Sequence, residues 1–321
     1  MKDTKNDQLN AYLRDAHSIE QQALVQLRSA PDIAGDERLA DVFRAHLAET
    51  ETHERLVRER LEARGATPSA LKDGVMAAGG KGFVLFARLQ PDTPGKLVTH
   101  AYSYEHLEQA GYAMLAEAAR WAGDEDTAAV AGRIQADEVH MGERLAQHFD
   151  DSLDASVGDL AAGDLEDKLV SSLADAHALE SQAVTLLERA PQLVDDAALR
   201  SAFDAAREQS ESHREQLAAR LDHHDARPSR IKDAALRLGG FNWSVFFQAQ
   251  PDSPAKLTAF AYAVEHLKIG GYAHLRGVAR RAGDHETVTV LDDILSDERR
   301  TAAALESQFG HAVSVTLGQP A

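Results

Sequence analysis

The 321-residue chain is 44% apolar and sets 34 basic against 52 acidic residues, a net charge of −18. Such a charge repels phosphate backbones and anionic lipid, which argues against nucleic acid and membranes as partners. It contains no cysteine, so disulfides, thiolate catalysis and sulfur-ligated metals are excluded, and a metal would have to be held by carboxylates and imidazoles.

No stretch nears the roughly 18 uninterrupted apolar residues of a membrane span. The start, MKDTKNDQLN, lacks the apolar core of a signal peptide. The expected location is cytoplasmic.

An internal duplication organises the sequence. DAHSIEQQAL at Asp15 returns as DAHALESQAV at Asp175, and QPDTPGKL at Gln90 returns as QPDSPAKL at Gln250. The offset is 160 at Glu20/Glu180, at Pro68/Pro228 and at Glu138/Glu298, so no insertion separates the copies. The expected organisation is a bundle over 1–154, a polar, glycine-containing linker over 155–164, and a second bundle over 165–321.

Each copy reads as four long helices with a period near 3.6. In copy one the first runs from about Asn6 to Ala30, ended by Pro31, with the apolar stripe Leu9, Leu13, Ala16, Glu20, Leu24, Leu27. A glutamate stands where leucine is expected. The second, about Asp36 to Arg64, carries Leu39, Phe43, His46, Glu49, His53 and Leu56 on its stripe.

The irregular piece that follows, TPSALKDGVMAAGGKGFVLFARLQP, predicts one or two short helices crossing the bundle, which lets the helices it joins run parallel. Phe83 and Phe86, with Trp243, Phe246 and Phe247 in copy two, are expected to cap the bundle or join the copies. The third helix, about Thr93 to Ala122, carries Leu97, Ala101, Glu105, Glu108, Tyr112 and Leu115. The fourth, about Asp124 to Phe149, carries Ile134, Glu138, Met141 and Leu145. Asp124, Glu125 and Asp126 read as first-turn charges at its N-terminus.

All four helices thus place an ionisable group midway along the face that should be buried. Four carboxylates buried together are costly unless protonated or paired with a cation, and a metal removes that penalty. Carboxylates with one or two imidazoles and no sulfur favour iron or manganese. His17 and His177 are candidates for outer partners of the first-helix glutamates, His106 and His266 read as flanking residues, and Tyr112 and Tyr272 as packed tyrosines or donors to a carboxylate.

DAHSIEQQAL, HLAETETHERL, YEHLEQAGY and IQADEVHMGERL together resemble the YciE/YciF-like members of the ferritin-like superfamily, over both copies. The resemblance implies an all-α fold of two tandem ferritin-like four-helix bundles, with a carboxylate-rich, often dinuclear metal site in the core. It implies Glu20, Glu49, Glu105, Glu108 and Glu138 as metal-binding carboxylates in copy one, with His53 as the imidazole. The usual Glu-x-x-His spacing is not met, since Glu49 and His53 are four apart and Met141 follows Glu138.

Copy two keeps Glu180, His213, Glu265 and Glu298, but Ala206 replaces His46, Gln209 replaces Glu49 and Lys268 replaces Glu108. The expectation is a pair of iron or manganese ions in copy one, bridged by Glu105 or Glu108, with copy two mononuclear or empty because Lys268 supplies its positive charge. The expected function is a metal-binding protein that reacts with dioxygen or peroxide in oxidative-stress protection, as a ferroxidase or peroxidase. The alternative is a non-catalytic stress or scaffold protein with a structural or degenerate site. The partners expected are metal ions and the oxidant, with the two copies packed as a pseudo-dimer within one chain.

Overall fold

The computed structural model describes residues 2–70, 73–74, 93–227 and 253–318. The chain divides into two units, Met1–Ser156 and Val157–Ala321. The first contains α1 (Lys2–Leu27), a one-turn α2 (Ala30–Ile33), α3 (Glu37–Ala63), α4 (Thr93–Ala122), α5 (Glu125–Gln147) and α6 (Phe149–Val157). The second contains α7 (Ala162–Leu187), α8 (Ala190–Leu193), α9 (Ala197–His223), α10 (Ser253–Ala282), α11 (His285–Glu306) and α12 (Phe309–Thr316). No strand occurs among the described residues, and none of their helices is long and apolar enough to cross a membrane.

The helix ends follow from local chemistry. Asp36 opens α3 by accepting from the backbone N–H of Arg38 and Leu39, at 2.9 and 3.1 Å. Asp124 opens α5 by accepting from Thr127 N–H at 3.0 Å and also receives Arg60 at 2.9 Å, tying α5 to α3. Gly123 ends α4 at φ +77°, and its counterpart Gly283 ends α10 at +78°, a left-handed conformation in which a β-carbon would be strained. The sequence reads α1 as reaching Ala30, but it stops at Leu27, and the proline-containing turn α2 follows. The presumed linker 155–164 is helical at both ends, leaving 158–161 to connect α6 to α7.

In copy one, cross-helix contacts link α1 with α3 (Arg64 to Asn10, His17 to Glu54), α3 with α5 (Arg60 to Asp124, His53 to Asp137), and α1 with α4 (Lys5 to Trp121, Tyr104 to Ile19). Low numbers on one helix meet high numbers on the next, so neighbours are antiparallel. α3 and α4 therefore run parallel across the diagonal, as the long connection between them requires. Its expected short helices, and the aromatic residues Phe83, Phe86, Trp243, Phe246 and Phe247, lie outside the described residues.

One apolar layer fills each end of the copy-one bundle. One contains Leu9, Leu13, Leu61, Ile134 and Leu115; the other contains Leu27, Leu39, Phe43, Leu97, Met141 and Leu145, all buried. Copy two repeats the architecture with α7, α9, α10 and α11. Each polar midsection is thereby shut off from water at top and bottom.

Candidate metal centre

Between those layers in copy one lie Glu20 on α1, His46 and His53 on α3, Glu105 and Glu108 on α4, and Glu138 on α5, none more than 3% exposed. They form two groups with a common member. His46, Glu105, Glu108 and Glu138 each bring one donor atom within 4.8 Å of the others, and so do Glu20, His53 and Glu138. The carboxylate present in both is Glu138, not Glu105 or Glu108, the bridge suggested by sequence.

The two imidazoles are held in the same way. His46 turns Nε2 inward, 3.1 Å from Glu105 and 3.6 Å from Glu138, while its Nδ1 pairs with Glu49 at 3.0 Å. His53 turns Nδ1 inward, 2.8 Å from Glu138, while its Nε2 pairs with Asp137 at 3.2 Å. An outer carboxylate on the far nitrogen fixes ring orientation and raises basicity, the usual support for a metal-ligating histidine. Arg144 in turn holds Glu49 at 2.6 Å.

Seven buried atoms in this layer make no hydrogen bond of good geometry: Oε2 of Glu20, Nε2 of His46, Nδ1 of His53, Oε2 of Glu105, Oε1 of Glu108 and both oxygens of Glu138. Buried polar atoms are nearly always satisfied, and a converging set of carboxylate oxygens and imidazole nitrogens left without donors is what a cation would complete. The residues present therefore fit a metal.

The electrostatics carry the same strain. Burial, reinforced by Glu138, pushes the Glu20 carboxyl up to about 8. Burial, then Glu105, lifts Glu138 to about 7. Glu108 is raised well above the ordinary range by burial, then by Glu138, Glu20 and Glu105. Burial alone would lower His46 and His53, but Glu105 and Glu138 respectively outweigh it and raise both. Without a cation, the layer retains protons on carboxylates and imidazoles.

Sequence reasoning named Glu49 as a ligand and passed over His46, and here the structure exchanges their positions. Glu49 stands about 60° around the helix from His46, away from the buried face, with 39% of its side chain exposed. His46 and His53 are two turns apart and share that face; this seven-residue spacing was the signal available. Glu49 is instead held down to about 2, first by His46, and acts on the layer through that ring.

The remaining sequence candidates lie outside the two groups. His17 is buried but bridges Glu54 and Asp73, at 3.1 and 3.2 Å. His106 points its Nδ1 at Tyr102 O, 2.7 Å away, and packs on that ring. Tyr112 donates a short hydrogen bond to Oε1 of Glu20, as Tyr272 does to Glu180. An apolar pocket walled by Ala23, Leu27, Phe43, Leu97 and Tyr104 reaches Glu105.

Copy two keeps one group, Glu180, His213 and Glu298, the counterparts of Glu20, His53 and Glu138. Its other half is rebuilt around Lys268, 1% exposed, with Nζ 2.9 Å from Glu265, 2.9 Å from Glu298 and 3.5 Å from Glu180. Ser210 Oγ accepts a hydrogen bond from the same ammonium at 3.1 Å. Glu265 thus sits on Lys268 and does not join Glu180, His213 and Glu298.

The duplication, the antiparallel helices and the buried carboxylate layer agree with the match to a family model. A ferritin-like family described as "Domain of unknown function (DUF892)" matches residues 4–157 and again 164–316, nearly the whole of both units. The chain belongs to the DUF892 family and carries two copies of its domain.

Proposed function

We propose that copy one is a carboxylate-bridged two-metal centre for iron or manganese, serving oxidative-stress protection in the manner expected of YciE/YciF-like proteins. The observation that carries the reading is the convergence of six buried carboxylates and imidazoles from four helices, seven of whose atoms lack a hydrogen bond of good geometry although His53 Nδ1 lies 2.8 Å from Glu138 and His46 Nε2 3.1 Å from Glu105. Glu138 serves both groups; Glu20 and His53 complete one, and His46, Glu105 and Glu108 the other. A bound iron or manganese pair supplies redox chemistry toward dioxygen or peroxide.

The protein's own part is positional. Glu49 and Asp137 fix the two imidazole rings, Tyr112 fixes Glu20, and the apolar layers exclude bulk water. The small pocket that Glu105 lines lies beside the layer. We propose a cytoplasmic location, as the sequence reading expects.

The test is oxidation of ferrous iron loaded anaerobically, followed optically after dioxygen or hydrogen peroxide is added. The reading expects the wild-type chain to outpace Glu105→Ala. Equal rates sink the enzyme reading.

A non-catalytic role is the second reading, favoured by one specific observation. Raised proton affinities at Glu20, Glu108, Glu138, His46 and His53 let the layer neutralise itself without metal. On this reading iron binds weakly and turnover is absent.

A further inference from the structure

The two copies share a helix order but differ in the chemistry of the buried polar layer. Copy one leaves seven atoms of its layer without a hydrogen bond of good geometry and has a glutamate, Glu108, where copy two has an ammonium; copy two leaves two, Oε2 of Glu265 and Oε2 of Glu298, and each lies 2.9 Å from Lys268 Nζ. The surviving group is also paired off. His213 Nδ1 bonds Glu298 Oε1 at 2.8 Å, Tyr272 donates to Glu180 Oε1, and Lys268 donates to Glu180 Oε2 at 3.5 Å. His213 has lost no orientation, since its Nε2 still faces Asp297 at 3.5 Å.

The half of the layer occupied in copy one by His46 and Glu108 holds Ala206 and Lys268 here, so a donor is deleted and a cation installed. The ammonium reaches a carboxylate from each of α7, α10 and α11. That is the contact pattern of a bound cation, built from the chain itself. A fixed positive charge against Glu180 and Glu298 opposes any divalent ion at the remaining group.

We propose that Lys268 is the resident cation of copy two, which therefore takes up no divalent metal, and that the chain carries one metal centre, in copy one. The claim about stoichiometry rests on the two-metal reading of copy one; the claim about Lys268 does not. The first experiment is equilibrium dialysis of the full chain against Mn2+ with elemental analysis. Glu180→Gln/Glu298→Gln is expected to bind as much manganese per chain as the wild type, and a loss of bound manganese in that variant overturns the proposal.

Should the wild-type chain bind neither Mn2+ nor Fe2+ supplied anaerobically, the two-metal reading fails, and the role of Lys268 is decided by melting the metal-free chain at pH 8. Lys268→Met is expected to lower the copy-two transition by about 10 °C or more, because three carboxylates lose their counter-charge. Lys268→Met/Glu265→Gln is expected to recover at least half of that loss, or to restore a copy-two transition where the single variant shows none. An unchanged melting temperature in Lys268→Met, or no recovery in the double variant, overturns it: the side chain would then be filling space.

Discussion

At the scale of single residues, the layer separates groups that face inward from groups that aim them. Glu49→Gln and Asp137→Asn leave every inward-facing atom in place but remove the negative charge behind an imidazole, and each should weaken Mn2+ binding about 10–100-fold in a competition titration. Glu138→Ala, which removes a member of both groups, should abolish tight binding. Protonation gives a second test. Glu20, at about 8, and Glu138, at about 7, together with Glu108, His46 and His53, all hold protons more tightly folded than unfolded.

Stability from such groups is complete below their ordinary values and is lost as pH rises through the raised ones. Glu49, held at about 2, acts oppositely and loses its contribution only in strong acid. Metal-free copy one should therefore melt about 5 °C or more lower at pH 8 than at pH 5, and Mn2+ should reverse the loss. Much of this layer was legible in sequence, since Glu20, His53, Glu105, Glu108 and Glu138 all occupy apolar-stripe positions. The exchange of Glu49 for His46 was less legible, because a stripe drawn by spacing alone does not separate its centre from its edge.

At the scale of elements, spacing and punctuation recover the four long helices of copy one to within a few residues, and the third without error at Thr93–Ala122. Helices of this length show their period many times over, so the pattern outweighs single exceptions. The turn α2 and the helix α6 escaped, since four and nine residues repeat the period too few times. Asp124 shows how one side chain can join elements: it caps α5 and receives Arg60 at 2.9 Å and Arg64 at 2.5 Å. Asp124→Ala should cost about 2 kcal/mol, measured by urea unfolding, because it removes a cap and takes one carboxylate from each of two guanidinium groups. Asp284, which caps α11 and pairs with Arg220 at 3.1 Å, should behave likewise in copy two.

At the scale of the whole molecule, one fold is stabilised at its centre in two chemically different ways. A calorimetric scan should resolve a transition for each unit, and Mn2+ should raise the copy-one transition while leaving that of copy two in place. Writing the copy-one donors into copy two, as Ala206→His/Lys268→Glu, should raise the manganese bound per chain. The duplication was the most legible feature of all, because it needs only a constant offset. The contacts of Lys268 were not, since sequence shows that an ammonium replaces Glu108 but not that it reaches Glu180 and Glu298 together.

The membership of Glu138 in both copy-one groups has a consequence for how the centre fills. A side chain cannot be drawn toward one group without altering what it offers the other, so the two occupancies are thermodynamically linked. Burial makes Glu138 hold a proton that a cation at either group would have to displace, so pH and the two occupancies would be linked. A manganese titration should therefore depart from two independent sites and release protons, as followed at constant pH by base uptake.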